Sequence, residues 1–230
     1  MPIDSETSLV EARTLFGSDL VGPEEVGRIL DADPLVLARS RPGLLTSIPY
    51  PLPVLTAAHA RGEFLIFRVP TDGLAPLTIL RLHERCPGMI QERLMKGVGY
   101  QLRDEWTLRQ EPFAHTETCQ LEWRLVQATP LPDTYNQSYL SQNEALERYA
   151  SSIGLAGSLG RRTAVEAVYD TVLLDRARGI RLLERAWDWT STATTDGAYV
   201  AVGEFAPEGM HVIGYSRAVR FGALGACAQH

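Results

Sequence analysis

The chain has 230 residues, a net charge of −6, 45% hydrophobic and 22% charged residues. These proportions are those of an ordinary globular protein and exclude a disordered, collagen-like or repeat class. Its longest basic run is Arg161-Arg162, which argues against nucleic acid as the main partner, because neutralising phosphates needs a basic stripe.

Ser8-x-x-Glu11 is a capping box and predicts a short helix ending near Gly17. Gly22-Pro23-Glu24-Glu25 predicts a second helix from Pro23 to about Leu30, with proline at the first position and acids in the first turn. Arg41 to Pro53 carries Pro42, Pro49, Pro51 and Pro53 and is expected to be extended or turn-like. This divides an N-terminal helical arm with its connector, residues 1–53, from a main domain, residues 54–230. A single domain over 1–230 is the other reading.

Glu63 to Val69 is the strongest strand signal and its apolar run predicts burial on both faces. A helix is expected from Leu77 to about Arg85, stopped by Pro87-Gly88. Leu121 to Gln127 alternates and predicts a half-buried strand. Ser141-x-x-Glu144 is expected to cap a helix running to about Ala150, and Gly154 to Gly160 is expected to form a flexible joint. Thr163-x-x-Glu166 opens the best helix, whose Val165, Val168, Tyr169, Val172 and Leu173 make one apolar stripe. Gly179 is expected to interrupt this helix, with Ile180, Leu182 and Leu183 continuing it.

From Trp187 the chain is β in character. Tyr199–Phe205 and Met210–Tyr215 predict a hairpin through Ala206-Pro207-Glu208-Gly209, and Arg217–Ala228 a last strand. Strands on both sides of the helices without regular alternation predict an α+β fold. That fold is expected to have a mostly antiparallel sheet, several packed helices and a C-terminal β-hairpin.

No stretch approaches the ~20 apolar residues of a membrane span, and Met1 to Glu6 does not read as a secretory signal. Three widely spaced cysteines, Cys86, Cys119 and Cys227, suit reduced thiols better than a disulfide framework. The expected compartment is the cytoplasm.

His83-x-x-Cys86 and His115-x-x-x-Cys119 have the residue types and spacing of a closed, structural zinc site. The same residues also read as buried cysteines and polar histidines without metal. Gly154-x-x-Gly157-x-x-Gly160 lacks the lysine and the preceding strand of a phosphate loop. Nucleophile-elbow and metal-helix motifs are absent, and the carboxylate pairs Asp170/Asp175 and Glu204/Glu208 have spacings found on most solvated surfaces. Trp187, Trp189, Tyr199, Phe205, Tyr215 and Phe221 crowd the end of the chain beside Thr190, Ser191, Thr192, Thr194 and Thr195. Aromatic residues and hydroxyls of this kind anchor binding surfaces, and they equally build a core with a polar loop.

The run Trp187-Asp-Trp189-Thr190-Ser191-Thr192, then Val202-Gly203-Glu-Phe205-Ala-Pro-Glu-Gly209, then Leu224-Gly225-Ala, resembles the end of a family of uncharacterised bacterial proteins. Those proteins carry Trp-Thr-Ser-Ser, Gly-Tyr-Phe-Asp-x-x-Gly and a closing Leu-Gly-Val. Ile48-Pro49-Tyr50, Phe64–Arg68 and Glu122–Val126 match the same group. The tail is also similar to C-type-lectin-like domains related to formylglycine-generating enzymes. It shares their order of Trp123-Arg124-Leu125, two helices, Trp189–Thr192 and Phe205–Gly209, with Val126 where they have proline. The cysteine pair of those enzymes has no counterpart, so the resemblance implies ligand or protein binding and not their activity.

The expectation is therefore a non-catalytic binding or interaction protein. Its surface would include Trp187, Trp189, Thr190, Ser191, Thr192, Tyr199, Phe205 and Tyr215. The alternative is a metal-dependent protein or small enzyme built on His83, Cys86, His115 and Cys119, with zinc as its cofactor.

Overall fold

The computed structural model describes residues 6–91, 108–154 and 160–229. Strand β1 (Thr7–Ser8) runs into α1 (Leu9–Phe16) through the expected capping box, in which the Glu11 amide donates to Ser8 Oγ and the Ser8 amide donates to the Glu11 carboxylate. Gly17, at φ +53°, ends that helix. Then come β2 (Leu20–Val21), α2 (Pro23–Leu30) with the predicted bounds, α3 (Pro34–Leu37) and β3 (Ser47–Ile48). The proline-rich stretch stops being turn-like earlier than expected. Leu52 opens α4 (Leu52–Ala60), because Pro53 falls in the first turn of a helix, where its missing N–H costs nothing.

Strand β4 (Phe64–Arg68) is buried at all five positions, and α5 (Ile79–Arg85) starts from a Thr78 cap. Helix α6 (Pro112–Thr116) precedes β5 (Glu122–Val126), which alternates as predicted: Trp123 and Leu125 are buried, Glu122 and Arg124 half-buried. Helix α7 (Tyr139–Ser152) starts earlier than expected. Ser138 caps it by accepting from the Ser141 amide, so Ser141 lies inside the helix. Residues 155–159 of the expected glycine joint lie outside the described residues. After β6 (Gly160–Arg161), α8 (Ala164–Arg178) opens on the predicted Thr163/Glu166 box. Gly179, at φ +69°, terminates α8, and Ile180, Leu182 and Leu183 do not continue it.

The tail supplies β7 (Trp187–Ala193), β8 (Tyr199–Ala206), β9 (Gly209–Tyr215), β10 (Leu224–Gly225) and β11 (Ala228–Gln229). The Trp187–Thr195 segment is thus mostly a strand. The hairpin connection is Pro207-Glu208 alone, since Ala206 already pairs with Gly209 across a bulge that starts after Gly203. The expected last strand is instead two short ones in different sheets.

The fold is α+β with mostly antiparallel pairing. One sheet has the order β2-β4-β5-β11-β6, a second β10-β7-β8-β9, and β1 pairs with β3. Only β2 with β4 and β10 with β7 run parallel within the named sheets. Residues of the N-terminal 53 join this architecture directly: β2 pairs with β4, and Phe16, Leu20, Val26 and Leu30 share one hydrophobic cluster with Leu65 and Val168. No helix among the described residues is long and apolar enough to cross a membrane.

Helix α8 departs from the single stripe its spacing predicts. Every residue from Ala164 to Leu174 is buried, including Glu166, Asp170 and Thr171. The helix is enclosed by α2, α5, β2, β7 and β8, and the Tyr169 hydroxyl donates to the Phe67 carbonyl of β4 at 2.9 Å. A helix covered on all sides loses the amphipathic signature of a surface helix.

Where β8 meets β7, the chain needs a glycine. A Cβ on Gly203 would lie 2.2 Å from the Ala186 carbonyl oxygen and 2.7 Å from Trp187 Cα, both backbone atoms that cannot rotate away. Gly203→Ala is expected to destabilise the fold by about 2–4 kcal/mol, lowering the thermal midpoint by roughly 5–15 °C. An unchanged melting curve by circular dichroism would refute this packing argument.

Candidate functional site

Two places concentrate polar chemistry, one inside the fold and one on its surface. The inner one starts from Arg68, the last residue of β4, whose residue exposure is 0%. Glu166 and Asp170 stand four residues apart on α8 and so share a face. Arg68 grips Asp170 with both arms, Nε to Oδ1 at 2.9 Å and Nη2 to Oδ2 at 2.6 Å, and gives Nη1 to Glu166 Oε1 at 2.9 Å. Arg162 adds Nη1 to Asp170 Oδ2 at 3.2 Å and Nε to Asp188 Oδ2 at 2.8 Å.

The remaining carboxylate oxygens are filled as well. Asp188 Oδ1 accepts from the Cys227 amide at 2.7 Å, Glu166 Oε1 from Gln229 at 3.0 Å, and Glu166 Oε2 from the Thr163 amide at 2.7 Å. Burial opposes the charge on both arginines, but Asp170 for Arg68 and Asp188 for Arg162 outweigh it and hold them charged. Burial likewise opposes ionisation of Glu166, yet the Arg68 charge and the Thr163 bonds leave its pKa lowered. The network ties β4, α8, β7 and β11 together, with Arg162 entering it just after β6.

The cysteines and histidines do not gather. Cys119 is buried beside Arg68, and burial raises its thiol well above the ordinary range. Cys86 caps the end of α5 near Arg176, and burial raises it too. His83 is half-buried on α5, while His115 is exposed on α6 with Nε2 2.7 Å from the Arg109 carbonyl. Among the described residues no three His, Cys, Asp or Glu side chains stand together as a metal group. Of the carboxylate pairs, Asp170 is locked in the network and Asp175 faces Arg181 at 3.5 Å. Glu204 and Glu208 are exposed at the hairpin.

The aromatic residues pack inward. Trp187, Trp189 and Tyr215 form a second hydrophobic cluster with Tyr139, Ile213 and Leu224, and Phe205 belongs to the main core. The neighbouring hydroxyls are already used within the chain. Thr190 donates to the Val200 carbonyl at 2.7 Å, Thr192 to Glu117 at 2.8 Å, Thr195 to Glu111 at 3.0 Å, and Ser191 to the Arg162 carbonyl at 3.3 Å. Alternation along β7 turns Trp187 and Trp189 into the aromatic cluster, while Asp188 enters the charge network.

Tyr199 is the member of the expected set that reaches the surface as a large ring. It stacks on Tyr139, ring centroids 4.2 Å apart and planes 29° apart. Arg217 lies over Tyr199 with Cζ 4.9 Å from the ring and donates Nη2 to the Tyr199 hydroxyl at 3.2 Å. Arg161 lies over Tyr139 at 4.0 Å. The donors of Arg161 go to Asn143 Oδ1, Gln142 Oε1, and the Trp189 and Tyr139 carbonyls, all neutral, and burial lowers its pKa. Neither Arg161 nor Arg217 pairs with a carboxylate among the described residues, in contrast to Arg68 and Arg162. Leu140, 63% exposed, stands beside Tyr139 at the start of α7.

Sequence reasoning missed Tyr139, Arg161 and Arg217. Only Arg217 carried a signal: no acidic residue occurs from Gly209 to His230, a stretch that holds Arg217 and Arg220. It also missed the inner network, whose signals were an arginine in the apolar strand Phe-Leu-Ile-Phe-Arg-Val and two acids four apart on the best helix. No family model, curated protein or solved structure matches this chain.

Arg68→Met leaves Glu166 and Asp170 buried with half their counter-charge gone. Its cost is expected to be about 3–5 kcal/mol in denaturant unfolding, with the double change Arg68→Met/Asp170→Leu milder than the single one. A double variant as damaged as the single would contradict this. Stability should also depend on acid. Glu166, lowered in the fold, contributes stability that is present above the ordinary glutamate pKa of 4.5 and is lost as pH falls below it. Glu117 has the opposite sign: burial raises its pKa, so stability declines as pH rises past 4.5. Glu117→Gln should remove that decline, and Glu166→Gln the acid loss, in melting curves taken across pH.

Proposed function

We propose that this chain is a non-catalytic binding protein whose contact surface is centred on Tyr199, stacked on Tyr139 and covered by Arg217. The observation that carries the reading is the guanidinium of Arg217, exposed and unpaired with any carboxylate among the described residues, held on the partly exposed ring of Tyr199. Tyrosine and arginine are the side chains that most often dominate contact energies, because a rigid ring and a forked cation lose little freedom on binding. The other candidates of the expected surface support this narrowing. Their rings fill the core and their hydroxyls are bonded inside the chain, so they serve to hold Tyr199 in place.

The engagement of the inner carboxylates with Arg68 and Arg162 and the raised thiols of Cys86, Cys119 and Cys227 favour binding over nucleophilic chemistry. The resemblance to C-type-lectin-like tails implies the same class of role. The three cysteines, all free and buried, suit the reducing cytoplasm, and the net charge of −6 favours a partner other than nucleic acid.

Trp189→Ala is a poor test, since it empties the second core. Tyr199→Ala removes a half-exposed ring and is expected to leave the fold cooperative, with stability lowered by no more than about 1–2 kcal/mol. Wild-type and Tyr199→Ala proteins, immobilised and exposed to lysate of the native host, should then differ in the proteins or small molecules that quantitative mass spectrometry finds retained. Identical retained sets from two folded proteins would sink the proposal.

A further inference from the structure

We infer that the partner of this surface is an acidic polypeptide segment, whose carboxylates meet Arg217 and whose apolar side chains meet Leu140 and the edge of the tyrosine stack; the inference rests on the binding reading above. The chain as a whole is acidic, yet from Gly209 to His230 it carries no aspartate or glutamate. Arg217 and Arg220 both lie exposed in the loop between β9 and β10. That loop is braced, since the Tyr139 amide donates to the Arg217 carbonyl at 3.1 Å and the Val219 amide to the Ser216 carbonyl at 2.9 Å. Arg217 is therefore presented from a held backbone, with its guanidinium positioned by Tyr199.

Three sources of positive potential converge here. Arg217 sits on one end of the stack and Arg161, bonded only to neutral acceptors, on the other. The first turn of α7, a helix of 14 residues, starts at Tyr139 and adds the positive end of its dipole. Arg161 is largely buried with its donors on neutral oxygens, and the attraction of Asp188 does not fully offset that burial, so an anion arriving at the surface lowers the cost.

Leu140, the residue after Tyr139 on α7, is 63% exposed, and Tyr199 shows part of its ring. An exposed arginine over a partly exposed tyrosine, with an exposed leucine in the first turn of the adjoining helix, suits an extended chain alternating acids with apolar residues. A small free anion would be better held by an enclosed concave site.

The test is fluorescence anisotropy with the full chain and a labelled peptide of Glu-Glu-Leu repeats. Its controls are the same peptide with glutamine for glutamate and an oligonucleotide of equal length. The acidic peptide is expected to bind, and to bind about tenfold more tightly than the glutamine peptide, with affinity falling as salt rises. Arg217→Ala should weaken it about tenfold and Arg217→Glu more, with unchanged melting, while Arg217→Lys keeps the charge, loses the fork and falls between. Leu140→Ser should weaken it severalfold.

Equal binding of the glutamine peptide, or indifference to Arg217→Glu, overturns the inference. Tighter binding of the oligonucleotide overturns it in favour of a phosphate polymer. Should the peptide fail while Tyr199→Ala still strips partners from the lysate capture, the acidic assignment falls and the binding reading stands. Identical lysate captures would bring both down.

Discussion

The contact on which the remaining architecture depends is the two-armed grip of Arg68 on Asp170. It joins β4 of the five-stranded sheet to the central helix at a point with no access to water. Burying either ion alone would cost several kcal/mol, so the pair is stable only because geometry and further donors satisfy nearly every oxygen. Arg162 extends the grip to Asp188 and so to β7, which belongs to the other sheet. The Cys227 amide and the Gln229 side chain bring the end of the chain into the same network. A hydrophobic contact tolerates small slips between elements, whereas a bidentate pair demands one register. This network thereby sets how α8 lies against the strands of both sheets.

That placement decides what the C-terminal aromatic residues can do. With Asp188 drawn inward on β7, the two tryptophans beside it turn to the opposite side and close the second core with Tyr139, Tyr215 and Leu224. The threonines that follow on β7 and its turn hold Glu111 and Glu117, which anchors the α6 segment. Residues that resembled a ligand surface in the sequence thus build the second core and brace the segment around α6. Tyr199 remains half-exposed because it stacks on Tyr139 at the margin of that core.

The surface follows from a contrast between arginines. Arg68 and Arg162 spend their charge on carboxylates inside the molecule. Arg161, adjacent to Arg162, turns the other way and finds only neutral oxygens and a tyrosine ring. Strand alternation explains the split, since consecutive residues of β6 and its continuation face opposite sides. Arg217 repeats the situation on the far side of the stack. An acidic protein with one acid-free end has kept positive charge where α7 begins, and the binding proposal grows from that asymmetry.

Local rules carried far along this chain. The bounds of α2, the caps of α1 and α8, the core of β4 and the alternation of β5 could all be read from neighbouring residues, because capping, proline geometry and side-chain period act over a few positions. Three kinds of feature were not legible. The Ser138 cap of α7 competed with an equally good Ser141-x-x-Glu144 pattern. The short strands β10 and β11 have no periodicity of their own and exist only through partners far along the chain. The faces of Trp187, Asp188 and Trp189 depended on which sheet received β7. By itself the sequence determined the α+β class and the longer elements such as α2, α8, β4 and β5, since hydrogen-bonding and steric preferences are local. Only the tertiary structure decided which charges were neutralised and which aromatic ring stayed accessible, because both depend on residues far apart in the chain, such as Arg68 with Asp170 and Tyr139 with Tyr199, meeting in the fold.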